Sequence, residues 1–197
     1  MSEDRPVSRF PVPGLADMPA DIRERIEAVQ EKSGFIPNVF LVLAHRPDEF
    51  RAFFAYHDAL MDKPGNLTKA EREMIVVATS NVNQCQYCVV AHGAILRILA
   101  KDAQLADQIA VNYRTAPISE RQRTMLDFAL HLAAGRGVLD DAWQARLEAQ
   151  GFSLDDIWDI GAIAGLFGLS NRLVSMARTP PNDEFYLLGR VPRSTAR

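Results

Sequence analysis

Hydrophobic residues recur every three or four positions along most of this chain, the spacing expected for helices with one buried face. Ile22, Ile26 and Val29 begin the pattern in a segment that runs from Asp21 to Gly34. The same spacing predicts further helices over residues 39–45, 47–61, 68–79, 84–101, 103–112, 119–134, 140–150 and 153–178. We find no strong alternation of apolar and polar residues, which would indicate strands. The pattern therefore predicts an all-α fold.

Helix start signals support these segments. Thr68 and Glu71 have the spacing of a capping box, in which each side chain bonds the backbone N–H of the other residue. Ser119–Gln122 and Ser153–Asp156 are start signals of the same spacing. A mostly polar link, residues 80–83, is predicted to separate the helix that follows Thr68 from the next one.

The two ends of the chain lack this periodicity. Residues 1–20 contain four prolines, which predicts an extended N-terminal arm. Pro180 and Pro181 should end the helical body and leave an extended tail over residues 180–197. The predicted organisation is thus an arm, one helical domain over residues 21–179, and a tail.

One segment of the chain resembles another. Residues 67–78 align with residues 118–129 at an offset of 51, with cap, apolar positions and an arginine in common. Either two helices simply have similar caps, or a helical unit is duplicated.

Composition and charge exclude several classes of protein. The 197 residues are 48% hydrophobic and 24% charged, as in an ordinary globular protein long enough for a substantial core. The net charge of −3 and the lack of a Lys/Arg run argue against a nucleic-acid partner. The weakly polar run at 160–169 is about half the length of a membrane span. No apolar secretion signal begins the chain, so a cytoplasmic location and no membrane contact are predicted.

The only two cysteines, Cys85 and Cys88, are followed by His92. If residues 84–101 are helical, each residue turns by about 100°, so that Cys88 lies about 60° and His92 about 20° from Cys85. All three side chains would then share one helix face. In a cytosolic protein, a Cys-x-x-Cys pair indicates a redox-active or metal-binding site.

The surroundings of this pair favour thiol chemistry. The reactive form of cysteine is the thiolate, and the start of a helix stabilises negative charge near Cys85. His92 lies one turn beyond Cys88 and can accept its proton. Glu73 lies on the preceding helix, and a hairpin of the two helices would bring its carboxylate to the imidazole.

The motif Glu-x11-Cys-x2-Cys-x3-His resembles the signature of the AhpD-like alkylhydroperoxidases, within the carboxymuconolactone decarboxylase-like superfamily. Residues 34–40 (GFIPNVF) and 45–47 (HRP) look like the peroxidase-related branch of that superfamily. The resemblance implies an all-α bundle with the Cys-x-x-Cys at the start of a central helix. It also implies a homo-oligomer.

The resemblance further implies a thiol-dependent reduction of peroxides. Cys88 would attack the peroxide, Cys85 would close the disulfide, and Glu73 with His92 would form a proton relay. Tyr87 stands where the best-known members have histidine, and it can donate a hydrogen bond but cannot buffer protons near neutrality. No metal, haem or flavin cofactor is implied. A lipoyl- or thioredoxin-like protein would restore the dithiol.

Other interpretations of the motif stay open. Cys85, Cys88 and His92 could be zinc ligands with Glu73 as a fourth, although structural zinc usually takes a second ligand pair from a distant segment, and the chain has no other Cys/His cluster. The cysteines could also be small core residues. Two other functions fit the sequence, a non-catalytic module that senses redox state or exchanges disulfides, and a carboxymuconolactone decarboxylase-type enzyme.

Two further features are predicted to be structural. The remaining histidines, His57 among them, lie in apolar or aromatic contexts. Gly161, Gly165 and Gly168 fall near one face of the last long helix and would permit close packing of another helix, including one from a second subunit.

Overall fold

The computed structural model describes residues 6–190 and consists, over that range, of ten α-helices with no strand. This confirms the predicted all-α fold. The helices are α1 (Ala20–Ser33), α2 (Asn38–Leu43), α3 (Pro47–Met61), α4 (Lys69–Val82), α5 (Gln86–Ala100), α6 (Leu105–Asn112), α7 (Glu120–Ala133), α8 (Asp141–Glu148), α9 (Leu154–Ala177) and α10 (Glu184–Leu187).

Helix α4 is the centre of the bundle. Ten consecutive residues, 71–80, are buried, because α5, α6, α7 and α9 pack around it. A helix buried on all sides has no solvent-exposed stripe. The Cys-x-x-Cys segment begins the neighbouring helix α5, which packs against α4, α6, α9 and α10. The two helices that carry the predicted site therefore lie in the interior of the fold.

The start signals act as predicted, but α4 is longer than the sequence indicates. Thr68, Ser119 and Ser153 each form a capping box with the residue three positions later. The prediction of a polar link over residues 80–83 is wrong for residues 80–82, because α4 continues to Val82. Ser80 is buried, and its hydroxyl accepts a hydrogen bond from Asn171. A polar residue paired in this way can remain inside a helix.

The two ends of the chain pack on the helical body. A short 3₁₀ turn, Leu15–Asp17, interrupts the predicted extended arm. The tail is not extended over its described part, residues 180–190, because it forms α10. Phe185 of α10 is buried, and Arg97 donates hydrogen bonds to the carbonyls of Phe185 and Leu188. Residues 1–5 and 191–197 lie outside the described range, and the domain boundaries stay a prediction.

The two similar segments form neighbouring helices. α4 and α7 pack side by side, and both begin with a capping box. Arg121 of α7 forms an ion pair with Glu71 of α4. This arrangement fits both a duplicated unit and two independent helices with similar caps.

Helix α9 alone among the helices of residues 6–190 is long and apolar enough to cross a membrane. Half of its most apolar window is buried within the fold. Its Asp159 is buried and pairs with Lys63 and Arg72. These features are typical of the core helix of a helical bundle.

Candidate active site

A tight turn positions the two cysteines. Gln84 has a left-handed backbone with φ of 55°, and the Cys85 N–H donates to the Ser80 carbonyl at 2.9 Å. Cys85 is the N-cap of α5 rather than its second helical residue, so the helix begins two residues later than predicted. Cys88 occupies the third helical position, beside which an N-cap side chain normally lies. The cysteines are therefore neighbours through an N-cap geometry, not through a shared helix face.

Both thiols are free and buried. Cys85 and Cys88 are each 2% exposed, and no disulfide joins them. The Cys88 Sγ lies 4.0 Å from the Ser170 hydroxyl of α9. The thiols belong to an apolar cluster with members from four parts of the chain, namely Phe35, Tyr87, Ala91, Ala94, Val174 and Phe185. A reactant must enter an apolar environment to reach either sulfur.

The two thiols differ in acidity. Hydrogen bonding from the Cys88 side chain is the main effect that lowers the pKa of Cys85 to about 6, against the opposing effect of burial. The Cys88 backbone N–H, Ser175 and Asn171 lower that pKa further. The same contact with Cys85, together with burial, raises the pKa of Cys88. The contact between the two thiols therefore favours the thiolate on Cys85, at the N-terminus of α5, over a thiolate on Cys88.

The α4–α5 hairpin brings Glu73 and His92 together. The imidazole Nδ1 lies 2.8 Å from the Glu73 Oε2, and both side chains are largely buried. A carboxylate accepts hydrogen bonds, so Nδ1 donates to Glu73 and Nε2 is the ring nitrogen left for another partner. The Phe167 ring packs edge-on against the imidazole at 4.7 Å. The acid–imidazole pair that the spacing predicts is thus present in the fold.

The hairpin does not join this pair to the sulfurs. Within residues 6–190, no hydrogen bond links His92 to Cys85 or Cys88. The predicted site therefore has two parts, a thiol pair at the start of α5 and an acid–imidazole pair in which Glu73 of α4 contacts His92 further along α5. A proton that passes between them needs an intermediate carrier such as water.

Tyr87 has a structural contact. Its hydroxyl oxygen accepts a hydrogen bond from the Val39 backbone N–H at 3.1 Å, which ties α5 to α2. Burial raises the pKa of Tyr87, so its phenol stays protonated. Its ring packs edge-on against Phe185.

Helix α9 supplies polar residues that the sequence analysis missed. Asn171 is 1% exposed and links α9 to the end of α4. Its Nδ2 donates to the Ser80 hydroxyl and its Oδ1 accepts from Asn83, both at 2.9 Å. Ser170 and Ser175 lie near the thiols on the same helix. The sequence signal for these residues was a Ser-Asn pair inside an otherwise apolar helical segment. A buried amide is normally hydrogen-bonded, so such a pair indicates an internal polar contact.

His57 of α3 lies on the acid–imidazole side of the site. Its ring packs against Phe167, as that of His92 does. Burial lowers the pKa of His57, and the charges of His92 and Glu73 also act on it. Its Nδ1 lies 3.1 Å from the carboxylate of Asp58. His57 is therefore a neutral neighbour of the pair.

A metal centre finds little support in this geometry. Over the part of the chain that the structure describes, no three His, Cys, Asp or Glu side chains converge as ligands of a metal ion. The thiol pair and the acid–imidazole pair each have other partners instead.

Comparison with known proteins gives a consistent picture. The family model of the carboxymuconolactone decarboxylase family matches residues 47–129. An uncharacterised peroxidase-related protein from Ralstonia eutropha JMP134, described as an alkylhydroperoxidase AhpD core, is 62% identical and has a TM-score of 0.94. The match covers 96% of this chain and 100% of that protein. None of the curated proteins compared matches the sequence.

Two further solved structures are similar. An uncharacterised peroxidase-related protein from Silicibacter sp. TM1040 is 38% identical with a TM-score of 0.89, over 96% of this chain and 100% of that one. The debrominase Bmp8 is 19% identical with a TM-score of 0.76, over 95% of this chain and 98% of Bmp8. At that identity the likeness to Bmp8 concerns the fold alone.

Proposed function

The chain belongs to the AhpD-like, peroxidase-related branch of the carboxymuconolactone decarboxylase family, and from this premise we propose that it reduces peroxides by a dithiol–disulfide cycle. The observation that carries the proposal is the reduced thiol pair at the start of α5. There Cys85 has a pKa of about 6, and Cys88 lies against it. A thiolate beside a second thiol is the arrangement needed to reduce a peroxide and then close a disulfide.

In the first step Cys88 attacks the peroxide. Its proton moves to the Cys85 thiolate, and the Cys88 sulfur then forms a bond to one peroxide oxygen while the O–O bond breaks. The leaving alkoxide takes a proton and departs as alcohol, or as water for hydrogen peroxide. Cys88 is left as a sulfenic acid, oxidised by two electrons.

In the second step Cys85 closes the disulfide. Cys85 loses its proton again, its thiolate attacks the Cys88 sulfur, and hydroxide leaves with a proton as water. A dithiol reductant then exchanges with the disulfide and restores both thiols, becoming a disulfide itself. The lipoyl- or thioredoxin-like protein that the family resemblance implies would supply this dithiol.

Glu73 and His92 are proposed to move the protons. Glu73 holds the imidazole through Nδ1, which leaves Nε2 to exchange a proton with another group. Because His92 does not contact either sulfur, we propose that a water carries protons between Nε2 and the thiol pair. In this proposal the Tyr87 O–H is a second donor, since its oxygen accepts the Val39 N–H and its hydrogen is left for another partner.

Access to the thiols favours small or apolar peroxides. Apolar side chains make up most of the surroundings of the pair, with Phe35 and Phe185 packed edge-on at 5.0 Å, and the polar contacts come from α9. An alkyl hydroperoxide would lose little on leaving water for such a site. The predicted homo-oligomeric assembly and cytoplasmic location also remain proposals.

A non-catalytic redox module is the second candidate. Its support is the lowered pKa of Cys85, which supplies the thiolate that exchanges with a disulfide. Such a module would react slowly with peroxide but rapidly with a protein disulfide. Decarboxylation of a lactone acid has no comparable observation in its favour, because the dithiol has no part in it.

The test assigns a role to each sulfur. Reduced wild type, Cys85→Ser and Cys88→Ser are each treated with one equivalent of cumene hydroperoxide and with a sulfenic-acid trap. We expect trapping on Cys88 in Cys85→Ser, no reaction in Cys88→Ser, and a disulfide in the wild type. Trapping on Cys85 in Cys88→Ser would reverse the roles. A wild type that does not react within minutes but exchanges readily with oxidised thioredoxin would favour the redox module instead.

A further inference from the structure

The attacking sulfur of the proposed cycle is the harder of the two to ionise. Contact with Cys85 and burial both raise the pKa of Cys88, which is 2% exposed. A thiolate is nevertheless the form of cysteine that attacks a peroxide. A buried charge needs hydrogen-bond donors, because it has lost the water that would otherwise solvate it. A group close to Cys88 therefore has to donate to its sulfur during the reaction.

Ser170 of α9 lies in the position of such a donor. Its side-chain oxygen is 4.0 Å from the Cys88 Sγ, and the residue is 5% exposed. Within residues 6–190 this hydroxyl makes no other hydrogen bond. A separation of 4.0 Å is long for a bond to a neutral thiol, and a charged acceptor shortens such contacts. A buried hydroxyl normally has a partner, and here that partner is the attacking sulfur.

Ionisation of Cys88 fixes the direction of this contact. A neutral thiol and a hydroxyl can each donate to the other, whereas a thiolate has no hydrogen to give. Ser170 is then the only one of the two that can donate. A hydrogen bond made to the charged form stabilises that form alone and lowers the pKa of the group. Asn171 and Ser170 both lower the pKa of Cys88 in this way, against the effects of Cys85 and burial.

A second hydroxyl of α9 acts on the other sulfur. A hydrogen bond from Ser175 lowers the pKa of Cys85. Ser175 is exposed, whereas Ser170 is buried. One helix thus brings one hydroxyl to each sulfur. Removal of Ser175 is therefore a matched control for removal of Ser170.

The titratable groups that face Cys88 lie on α4 and on its own segment. They are Cys85, Tyr87 and the Glu73–His92 pair. Asp107 of α6 and Arg190 of the tail pair with each other. From α9, Cys88 is faced by Ser170 and Asn171, which do not ionise in water. A change at Ser170 therefore removes a hydrogen bond without removing a charge.

We propose that the Ser170 hydroxyl donates a hydrogen bond to the Cys88 thiolate and thereby makes Cys88, rather than Cys85, the sulfur that attacks the peroxide. The serine keeps its own hydrogen, and the Cys88 proton passes to Cys85 as before. A more stable Cys88 thiolate lowers the barrier to attack, because the sulfur still carries part of its charge in the transition state. The proposal rests on the proposed function, in which Cys88 is the attacking residue.

The hydrogen bond is tested without peroxide in a Cys85→Ala background, where Cys88 is the only thiol. The cysteine is labelled at Cβ, and its NMR shift is followed against pH. Adding Ser170→Ala should raise the pKa of Cys88 by about 1, the effect expected for one lost hydrogen bond to a charge. Ser170→Thr keeps the hydroxyl and should restore the pKa, and Ser175→Ala should leave it unchanged. The same pKa with and without the Ser170 hydroxyl would overturn the proposal.

Rapid-mixing kinetics of disulfide formation supply the second test, with both cysteines present and cumene hydroperoxide as oxidant. Ser170→Ala should slow oxidation about tenfold near neutral pH, and Ser170→Thr should recover most of the rate. Thr124→Val removes a buried hydroxyl of α7 and should not slow it.

The two tests separate the possible failures. Slower oxidation with an unchanged Cys88 pKa would mean that Ser170 acts through packing, which contradicts the proposal. A wild type that does not consume peroxide would refute the proposed function. The NMR titration would still decide whether Ser170 donates to Cys88.

Discussion

The α4–α5 hairpin and the α7–α8 pair begin alike and then diverge. Both α4 and α7 start with a capping box and are then buried, from Glu71 in α4 and from Thr124 in α7. At the offset of 51, buried Glu73 corresponds to buried Thr124. After α4 the chain turns tightly at Gln84 and presents Cys85 at a helix N-terminus. After α7 it passes through Gly135 and Gly137 into an exposed connection before α8.

The difference between the two units distinguishes the features that build the fold from those on which the candidate chemistry depends. Capping and burial are common to both units, and they account for the way the helices pack. The candidate chemistry depends on the tight turn before α5, which places a thiol where helix N–H groups stabilise a thiolate. It depends also on α9, whose Ser170 and Asn171 face the α4–α5 unit. Variants at corresponding positions of the two units can therefore distinguish chemical from structural roles.

The largest expected effect is at Cys88. Cys88→Ser should lower peroxide turnover with a dithiol reductant at least about a thousandfold, because the attacking atom is lost. The corresponding position is Leu139, and Leu139→Ser should leave turnover unchanged. Turnover is measured as loss of cumene hydroperoxide with dihydrolipoamide as reductant. Normal turnover by Cys88→Ser would contradict the assignment.

The second comparison concerns Glu73 and Thr124. Glu73→Gln removes the charge that orients His92, and turnover should fall about a hundredfold, the range expected for the loss of general acid–base assistance. Thr124→Val, its matched control, should alter stability but not turnover. If both variants turn over peroxide equally well, the Glu73–His92 pair has only a structural role.

The acidity of Cys85 predicts a dependence on pH. Absorbance of the reduced protein near 240 nm should reveal one thiolate that forms as the pH rises through about 6. In the unfolded chain the same thiol ionises only near 9.0. Between these values the unfolded state holds a proton that the native state has released, so the free energy of unfolding should increase with pH. Chemical denaturation of wild type and Cys85→Ser at pH 6 and pH 8 measures this, and the increase should be smaller in the variant, where the lowered pKa of His57 still contributes.

A smaller effect is expected at Asn171. Asn171→Ala removes the amide that bonds Ser80 and Asn83, and the loss of these buried hydrogen bonds should cost about 1–3 kcal/mol of stability. Because Asn171 also lowers the pKa of Cys85, the thiolate should form at higher pH in the variant. Denaturation and the 240 nm titration measure the two effects. An unchanged titration would mean that Asn171 is only a structural link between α9 and α4.

The smallest expected effect is at Tyr87. Tyr87→Phe leaves the Val39 N–H without its acceptor, which should cost about 1 kcal/mol of stability. Turnover should change little if Glu73 and His92 carry the protons. A loss of turnover comparable to that of Glu73→Gln, at full stability, would give Tyr87 a direct part in proton transfer.

The helical fold and the acid–imidazole pair were predictable from local signals. Helical periodicity and cap residues specify where most helices begin, and the twelve-residue separation of Glu73 from Cys85 suits a hairpin. The N-cap position of Cys85 was not predictable, because it depends on a left-handed backbone at Gln84, which is a non-glycine residue. The contribution of Asn171 and the helix in the tail arise from contacts between residues distant in sequence. Spacing alone does not encode such contacts.

The central claim is that Cys85 and Cys88 act as one redox unit, and a thiol titration tests it most directly. Fully reduced wild-type protein is mixed with one equivalent of cumene hydroperoxide, and the free thiols are counted in denaturant while intact mass is recorded. The account predicts the loss of both thiols, the loss of two hydrogens from the mass, and a peptide linked through Cys85 and Cys88. Two thiols that remain titratable after the peroxide has been consumed, or a peroxide that persists, would contradict it.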